Sequence, residues 1–357
     1  MKTTVLVGRE GLYGAYPPRF SAFYSLALLA ICLSGCWLST GGTPNPDGGT
    51  DDSSSDSSDT SSSSDSDVDG DSDTDSDSDP NHYSSISVGR RHACALTQEG
   101  KAVCWGEFDY LTPSDTFSSI HCGSEFVCGL KTDGSVLCWG GSTYGQLDAP
   151  DVLFVSIDSG RRTSCGITAD DSSALCWGDN SHGQSAPPPG PFTSVSVGAI
   201  HSCGIRTDGT VDCWGDNGDG QSSPPVGEFI SVEVSDYHGY CNEELDGFFS
   251  CGLSPEHYLQ CWGADLEVCS PPGFQVQDFA LNACMGWFQD SVGEISYWGF
   301  DSCPAYIFGP PDWYYFEPAP EGPFNALDAG GLRACGILEG GTIRCWGICK
   351  DSSCDAP

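Results

Sequence analysis

An all-β fold made of seven similar units is what this sequence predicts, and three observations carry the prediction. A Trp-Gly pair recurs at Trp105, Trp139, Trp177, Trp214, Trp262, Trp298 and Trp346, with spacings of 34, 38, 37, 48, 36 and 48 residues. Six of the seven read Cys-Trp-Gly, and only Tyr297 breaks the pattern. Around each pair, alternating segments such as SVSV, CGI and TVDC are split by Gly, Asp and Pro, which is strand-and-turn patterning rather than helix. Units of this size cannot bury their own faces, so seven in a row predict radial packing into a seven-bladed β-propeller.

Two elements precede the repeats. Residues 20–33, FSAFYSLALLAICL, are an apolar run of 14 preceded by Lys2, Arg9 and Arg19. The run is too short to cross a bilayer of about 30 Å as a helix and has the layout of a signal-peptide core. Leu33-Ser34-Gly35-Cys36 then looks like a bacterial lipobox, which implies cleavage after residue 35 and diacylglycerol on the Cys36 sulfur. An ordinary cleaved signal with an incidental cysteine is the alternative. The absence of Asp after Cys36, where Trp37 stands, favours the outer membrane or cell surface.

Residues 36–82 form the second element, with 13 Asp between Asp47 and Asp79 and no Lys, Arg or aromatic residue between Thr40 and Asn81. Such a stretch cannot bury enough apolar surface to offset chain entropy, so a disordered, self-repelling stalk is expected. Asp65 to Gly70 matches the opening of a calcium loop, but Ser76 stands where a bidentate Glu is needed, so no metal and no cofactor are expected. The net charge of -37, of which -26 belongs to residues 81–357, argues against a nucleic-acid partner.

In the third element, residues 83–357, twelve of the 19 cysteines acquire a hairpin register. Cys128 and Cys138 flank Thr132-Asp133-Gly134; with those three as a loop, Lys131 pairs with Ser135 and the cysteines lie opposite one another. A three-residue loop wants a left-handed third residue, and Gly134 is there. Cys94 with Cys104, Cys203 with Cys213, Cys251 with Cys261 and Cys335 with Cys345 repeat the spacing. Cys165 and Cys176 are one residue further apart, and their loop is one residue longer. Disulfides are therefore expected in six hairpins, in preference to zinc at His92-Ala-Cys94 or His201-Ser-Cys203, where the histidines read as packed turn residues. Cys349 with Cys354 is a further local pair, and Cys122 is the candidate free thiol.

The fourth unit, VSVG-x-x-H-x-C-G-I-x-x-D-G-x-V-x-C-W-G-D-N-x-x-G-Q, resembles the regulator-of-chromosome-condensation repeat in a secreted, cysteine-bearing form. The resemblance covers Tyr83 to Pro357 and is strongest in units three and four. It implies a seven-bladed β-propeller in which Gly89, Gly160 and Gly198 and the Gly-Gln turns at Gly145, Gly183 and Gly220 are structural. It also implies a protein that binds through its loops without catalysis. The small-GTPase and chromatin partners of the family's nuclear member do not suit a lipidated, acidic, exported chain.

Function is expected where the repeat departs from its pattern. One departure is the insertion Asp236 to Phe249; another carries Tyr306, Phe308, Trp313, Tyr314, Tyr315 and Phe316 among prolines. Those aromatics suit recognition of a protein or glycan, or alternatively cover a blade that lacks its disulfide. A third feature is Arg90-Arg91 and Arg161-Arg162, at the same place in units one and three, with Arg333 within two places of it in unit seven. They suit an anionic ligand, or local pairing with the many carboxylates. No sialidase box, Gly-x-Ser-x-Gly elbow or His-Glu-x-x-His is present, so no catalytic residue is expected. The sequence reading is a monomeric, membrane-tethered binding protein, with a propeller lyase or glycosidase and a purely structural envelope protein as alternatives.

Overall fold

The computed structural model describes residues 82–357, apart from 109, 236–247, 264–270, 272, 283–284, 300–313, 332, 351–355 and 357. Cys36 and the leader and stalk before residue 82, Tyr306, Phe308, Trp313 and Cys354 therefore lie outside the described residues, as does most of the 236–249 insertion.

Seven antiparallel sheets form seven blades. Blade 1 is β1 (Tyr83–Val88), β2 (His92–Thr97) and β3 (Ala102–Gly106). Blade 2 is β4 (Phe117–Cys122), β5 (Phe126–Lys131) and β6 (Val136–Gly140); blade 3 is β7 (Phe154–Ser159), β8 (Thr163–Thr168) and β9 (Ala174–Gly178). Blade 4 is β10 (Phe192–Val197), β11 (His201–Arg206) and β12 (Val211–Gly215); blade 5 is β13 (Ser231–Val234), β14 (Phe249–Leu253) and β15 (Leu259–Gly263). Blade 6 is β16 (Val276–Leu281), β17 (Met285–Asp290) and β18 (Ile295–Gly299). Blade 7 has four strands in the order β19 (Tyr314–Glu317), β22 (Ile343–Lys350), β21 (Arg333–Leu338) and β20 (Phe324–Gly330). Tyr314, Tyr315 and Phe316, read from sequence as loop residues, thus lie on an outer strand whose backbone pairs with residues 348–350.

The expected hairpins are present. Lys131 N–H donates to the Ser135 carbonyl at 2.8 Å, Gly134 has φ 86°, and Cys128 faces Cys138 across the ladder. All six predicted hairpin disulfides form, between Cα atoms 4.0–4.1 Å apart. The longer third loop ends on Ser172 at φ 60°. Blade 6 has Trp287 and Tyr297 at the cystine position, directly opposite each other with ring centroids 5.2 Å apart. A cross-strand aromatic pair takes the place of the covalent bond there.

Seven buried apolar clusters hold the ring, and each lies between two successive blades. Phe126, Cys128 and Leu130 of blade 2 pack with Phe154, Ile157 and Trp177 of blade 3, and the equivalent residues repeat at every joint. Within each Cys-Gly pair of blades 2 to 5 and 7 the Gly makes room for the phenylalanine that heads the inner strand. A Cβ on Gly204 would sit 2.7 Å from the Phe192 ring, and one on Gly129 2.3 Å from Phe117. The last joint is of the same kind, with Ile86 and Val88 of blade 1 against Ile337 and Ile343 of blade 7. Two hydrogen bonds complete it: Tyr83 N–H to the Gly341 carbonyl at 3.0 Å, and Val88 N–H to Asp328 Oδ2 at 2.6 Å. Among the described residues the ring closes by apposition of the first and last blades, which share no sheet.

Candidate functional site

The inner strands place one residue each at the same step of the channel wall: Ser87, His121, Asp158, Ser196, Glu233, Ala280 and Asp328. Four of these reach to the next blade and accept its backbone N–H. Ser87 Oγ takes Cys122 N–H at 2.9 Å, Asp158 Oδ2 takes Val197 N–H at 2.7 Å, Ser196 Oγ takes Val234 N–H at 3.1 Å, and Asp328 takes Val88 N–H. The polar channel residues therefore serve first as inter-blade clamps.

Their protonation follows from burial. Desolvation, with the Asp158, Asp328 and Asp278 charges adding to it, holds the Glu233 carboxyl well above the usual carboxylate range. Desolvation likewise pushes Asp328 up to about 7, against the Val88 hydrogen bond that favours its charged form. His121 Nδ1 lies 3.3 Å from Asp158 Oδ1. Ser87, Asp158, Ser196, Glu233 and Asp328 line a cavity of about 40 Å³, room for roughly three waters. Cys122, the free thiol predicted from sequence, is buried beside it, and desolvation pushes its pKa up to about 12, so it is not a nucleophile at neutral pH. Among the described residues no group of three or more His, Cys, Asp or Glu side chains could hold a metal ion.

His92 and His201 begin strands β2 and β11 and are fully buried, so they are not the turn residues the sequence suggested. Burial lowers their pKa values to about 3 and about 4, which keeps both neutral. His201 Nε2 pairs with Ser250 Oγ at 2.8 Å, and His92 stacks on Phe108 at 4.4 Å.

The loops that join inner to second strands meet around one mouth of the channel. A Cβ on Gly89 would lie 2.5 Å from the Gly123 carbonyl, one on Gly160 2.3 Å from that of Gly198, and one on Gly198 2.6 Å from that of Ser235. Only glycine permits this close collar, which gives the family-predicted glycines a physical reason. Arg90, Arg91, Arg161 and Arg162 follow the first and third of these glycines. Arg91 is exposed and pairs with Glu107 at 3.0 Å; Arg162 lies over the Tyr144 ring at 4.2 Å. Arg333 does not join them on the surface, since it is 3% exposed on β21 and desolvation lowers its pKa to about 10.

The Gly-Gln turns do a different job. Gly145, Gly183 and Gly220 have φ of 77°, 86° and 84°, and the following Gln folds its Oε1 back to the backbone N–H of Tyr144, His182 or Asp219. The Gln carbonyl is thereby turned toward the next blade. Trp177, Trp214 and Trp262 donate their indole N–H to the carbonyls of Gln146, Gln184 and Gln221 at 3.1, 2.8 and 2.9 Å. The Trp of one Cys-Trp-Gly is thus hydrogen-bonded to the Gly-Gln of the unit before it.

Comparison with known proteins supports this architecture. The family described as Regulator of chromosome condensation (RCC1) repeat matches residues 83–110, 117–146, 154–184 and 192–221. The entire ectodomain of the Physcomitrella patens receptor kinase CR4 is similar at 23% identity and TM-score 0.60, over 74% of each chain. The CRINKLY WD40 ectodomain of the Arabidopsis thaliana receptor kinase ACR4 is similar at 24% identity and TM-score 0.60, over 74% of this chain and 95% of that one. Human WBSCR16 is similar at 13% identity and TM-score 0.54, over 76% and 87%. A search of curated proteins finds no match.

Proposed function

We propose that this chain, an RCC1-type repeat protein with a seven-bladed propeller, is a non-catalytic binding module held at the cell envelope by lipid on Cys36. Its partner, a protein or a glycan, is engaged through the loops of a propeller face. The observation that carries the reading is the division of labour among the side chains. Polar residues of the inner strands are spent on joints between blades, and the cavity they line measures about 40 Å³. Recognition is therefore left to the faces, where loops vary between blades and side chains are exposed. The two plant propellers of the same architecture stand outside their cells as ectodomains, the address this reading gives to the present chain.

Photo-crosslinking on intact cells that express the full chain or its Cys36→Ser variant tests the reading. The wild type is expected in the membrane fraction with a captured partner, and the variant is expected to be released. Turnover that vanishes on removal of a single carboxylate or His would sink the non-catalytic reading, and a Cys36→Ser protein retained in membranes would sink the anchor.

A further inference from the structure

We infer that the face of blades 1 to 3 at the arginine-bearing mouth is a docking surface for an acidic segment of a partner protein. The inference rests on the binding-module reading above and names the surface and the chemistry it selects.

Six side chains carry it: Arg90, Arg91, Tyr110, Tyr144, Arg161 and Arg162. The loops that hold the arginines are neighbours through a single intervening loop. A Cβ on Gly89 would touch the Gly123 carbonyl, and Ser124 N–H donates to the Arg161 carbonyl at 3.3 Å. The tyrosines extend the surface outward from blade to blade. The Tyr110 hydroxyl lies 3.6 Å from where a Gly141 Cβ would be, so blade 1 reaches over blade 2. Tyr144 of blade 2 reaches under the Arg162 guanidinium of blade 3. Tyr110 and Tyr144 are 48% and 41% exposed, enough to bury substantial ring area in a partner.

Charge makes the surface unusual for this molecule. Residues 83–357 contain seven arginines within a net charge of -26, and four of them stand on these two loops. Tyr and Arg are the residue types that dominate protein interfaces, and stacking on Tyr144 pre-orders the Arg162 fork for carboxylate. Arg91 is already paired with Glu107, but both side chains are at least half exposed, so exchanging that carboxylate for a partner's costs little. The sign pattern also selects among anions. Glu125 is exposed on the loop between the two arginine pairs, so a uniformly charged polymer meets repulsion at the centre. A protein segment with spaced carboxylates avoids it.

The test pans a random-peptide display library against the full mature protein and measures selected peptides and alginate, a polyuronate, by fluorescence anisotropy. Selected peptides are expected to be acidic and to bind less tightly as salt rises. Arg91→Gln and Tyr110→Ser, at exposed positions, and Arg162→Gln, at a half-buried one, are each expected to weaken binding by roughly tenfold. Hydrogen exchange should place the bound peptide on blades 1 to 3. Peptides selected without acidic bias, affinities untouched by these substitutions, or alginate binding as tightly as the peptides would each overturn the inference. Peptides bound on another face would overturn it while leaving the binding-module reading intact; failure of both peptide selection and cell crosslinking would remove the two together.

Discussion

The joints on either side of blades 3 and 4 and those that flank blade 6 solve one packing problem with different chemistry. Between blades 2 and 3, 3 and 4, and 4 and 5, the Trp of each Cys-Trp-Gly is both packed on an inner-strand Phe and hydrogen-bonded to a Gln carbonyl. The indole N–H groups of Trp298 and Trp346, at the joints into and out of blade 6, are buried and find no hydrogen-bond partner among the described residues; those of Trp105 and Trp139 share this state. Blade 6 makes up the difference with apolar mass. Trp287, wholly buried, meets Trp346 edge to face at 5.8 Å and Tyr297 at 5.2 Å, although its own indole N–H also finds no hydrogen-bond partner among the described residues. A buried donor left without an acceptor costs about 1 to 3 kcal/mol, whereas an additional buried aromatic contributes an amount of the same order. Among the described residues the repeat signature is thus a hydrogen-bond code between neighbours in blades 2 to 5, and at blade 6 additional aromatic packing accompanies its lapse.

The largest break in this comparison comes from removing that replacement. Trp287→Ala leaves a cavity at the joint of blades 6 and 7 and should cost about 3 to 5 kcal/mol in chemical denaturation. In the regular sector, the double change Cys203→Ser with Cys213→Ser should cost about 2 to 4 kcal/mol, measured by the same denaturation under oxidising conditions. A smaller effect separates the two sectors most cleanly. Trp214→Phe removes one of the two hydrogen bonds that the Gln184 carbonyl accepts, leaving the one from Ser202 Oγ, and should cost about 1 kcal/mol more than Trp298→Phe, which removes a donor with no acceptor among the described residues.

The channel predicts a pH dependence. Asp328 has a folded pKa of about 7, above the ordinary carboxylate value, so the folded protein binds a proton there that the unfolded chain releases. Its contribution to stability is fully present below about pH 4 and falls as pH rises to 7. Glu233 acts in the same direction. Thermal melting across this range should therefore show a decline that Glu233→Gln flattens, and a slope unchanged by the substitution would contradict the assignment.

Much of the scaffold was legible because it is written in spacing. The Trp-Gly period marked the blades, and the ten-residue Cys separation fixed hairpin register even where the loop lengthened by one. The same rule extends to blade 6, where Trp287 stands ten residues before Tyr297, but a Trp-Tyr pair carries no chemical signature of bonding. Asp158, Glu233 and Asp328 were illegible as a group because they lie far apart in sequence and meet only when inner strands converge. Aligning the units on the inner-strand Gly brings Asp158 and Asp328 into one column with Ser87, His121 and Ser196, each two residues before its Gly; Glu233 escapes because Ser235 stands where that Gly would be. Arg333 was misplaced because spacing gives position along the chain but not which side of a strand a residue takes. Strand β19 is not legible in the sequence because YYFE, an unbroken aromatic run among prolines, carries no alternation.

The surface on blades 1 to 3 includes the joint of blades 2 and 3, where Trp177 is both packed and hydrogen-bonded, so that part of it is pre-ordered before it meets a partner. Native-state hydrogen exchange on the mature protein, resolved strand by strand, tests this most directly. Strands β5, β8 and β11 are expected to exchange most slowly, and β17 and β18 to open first. Uniform protection around the ring, or earliest opening in blades 2 to 4, would contradict it.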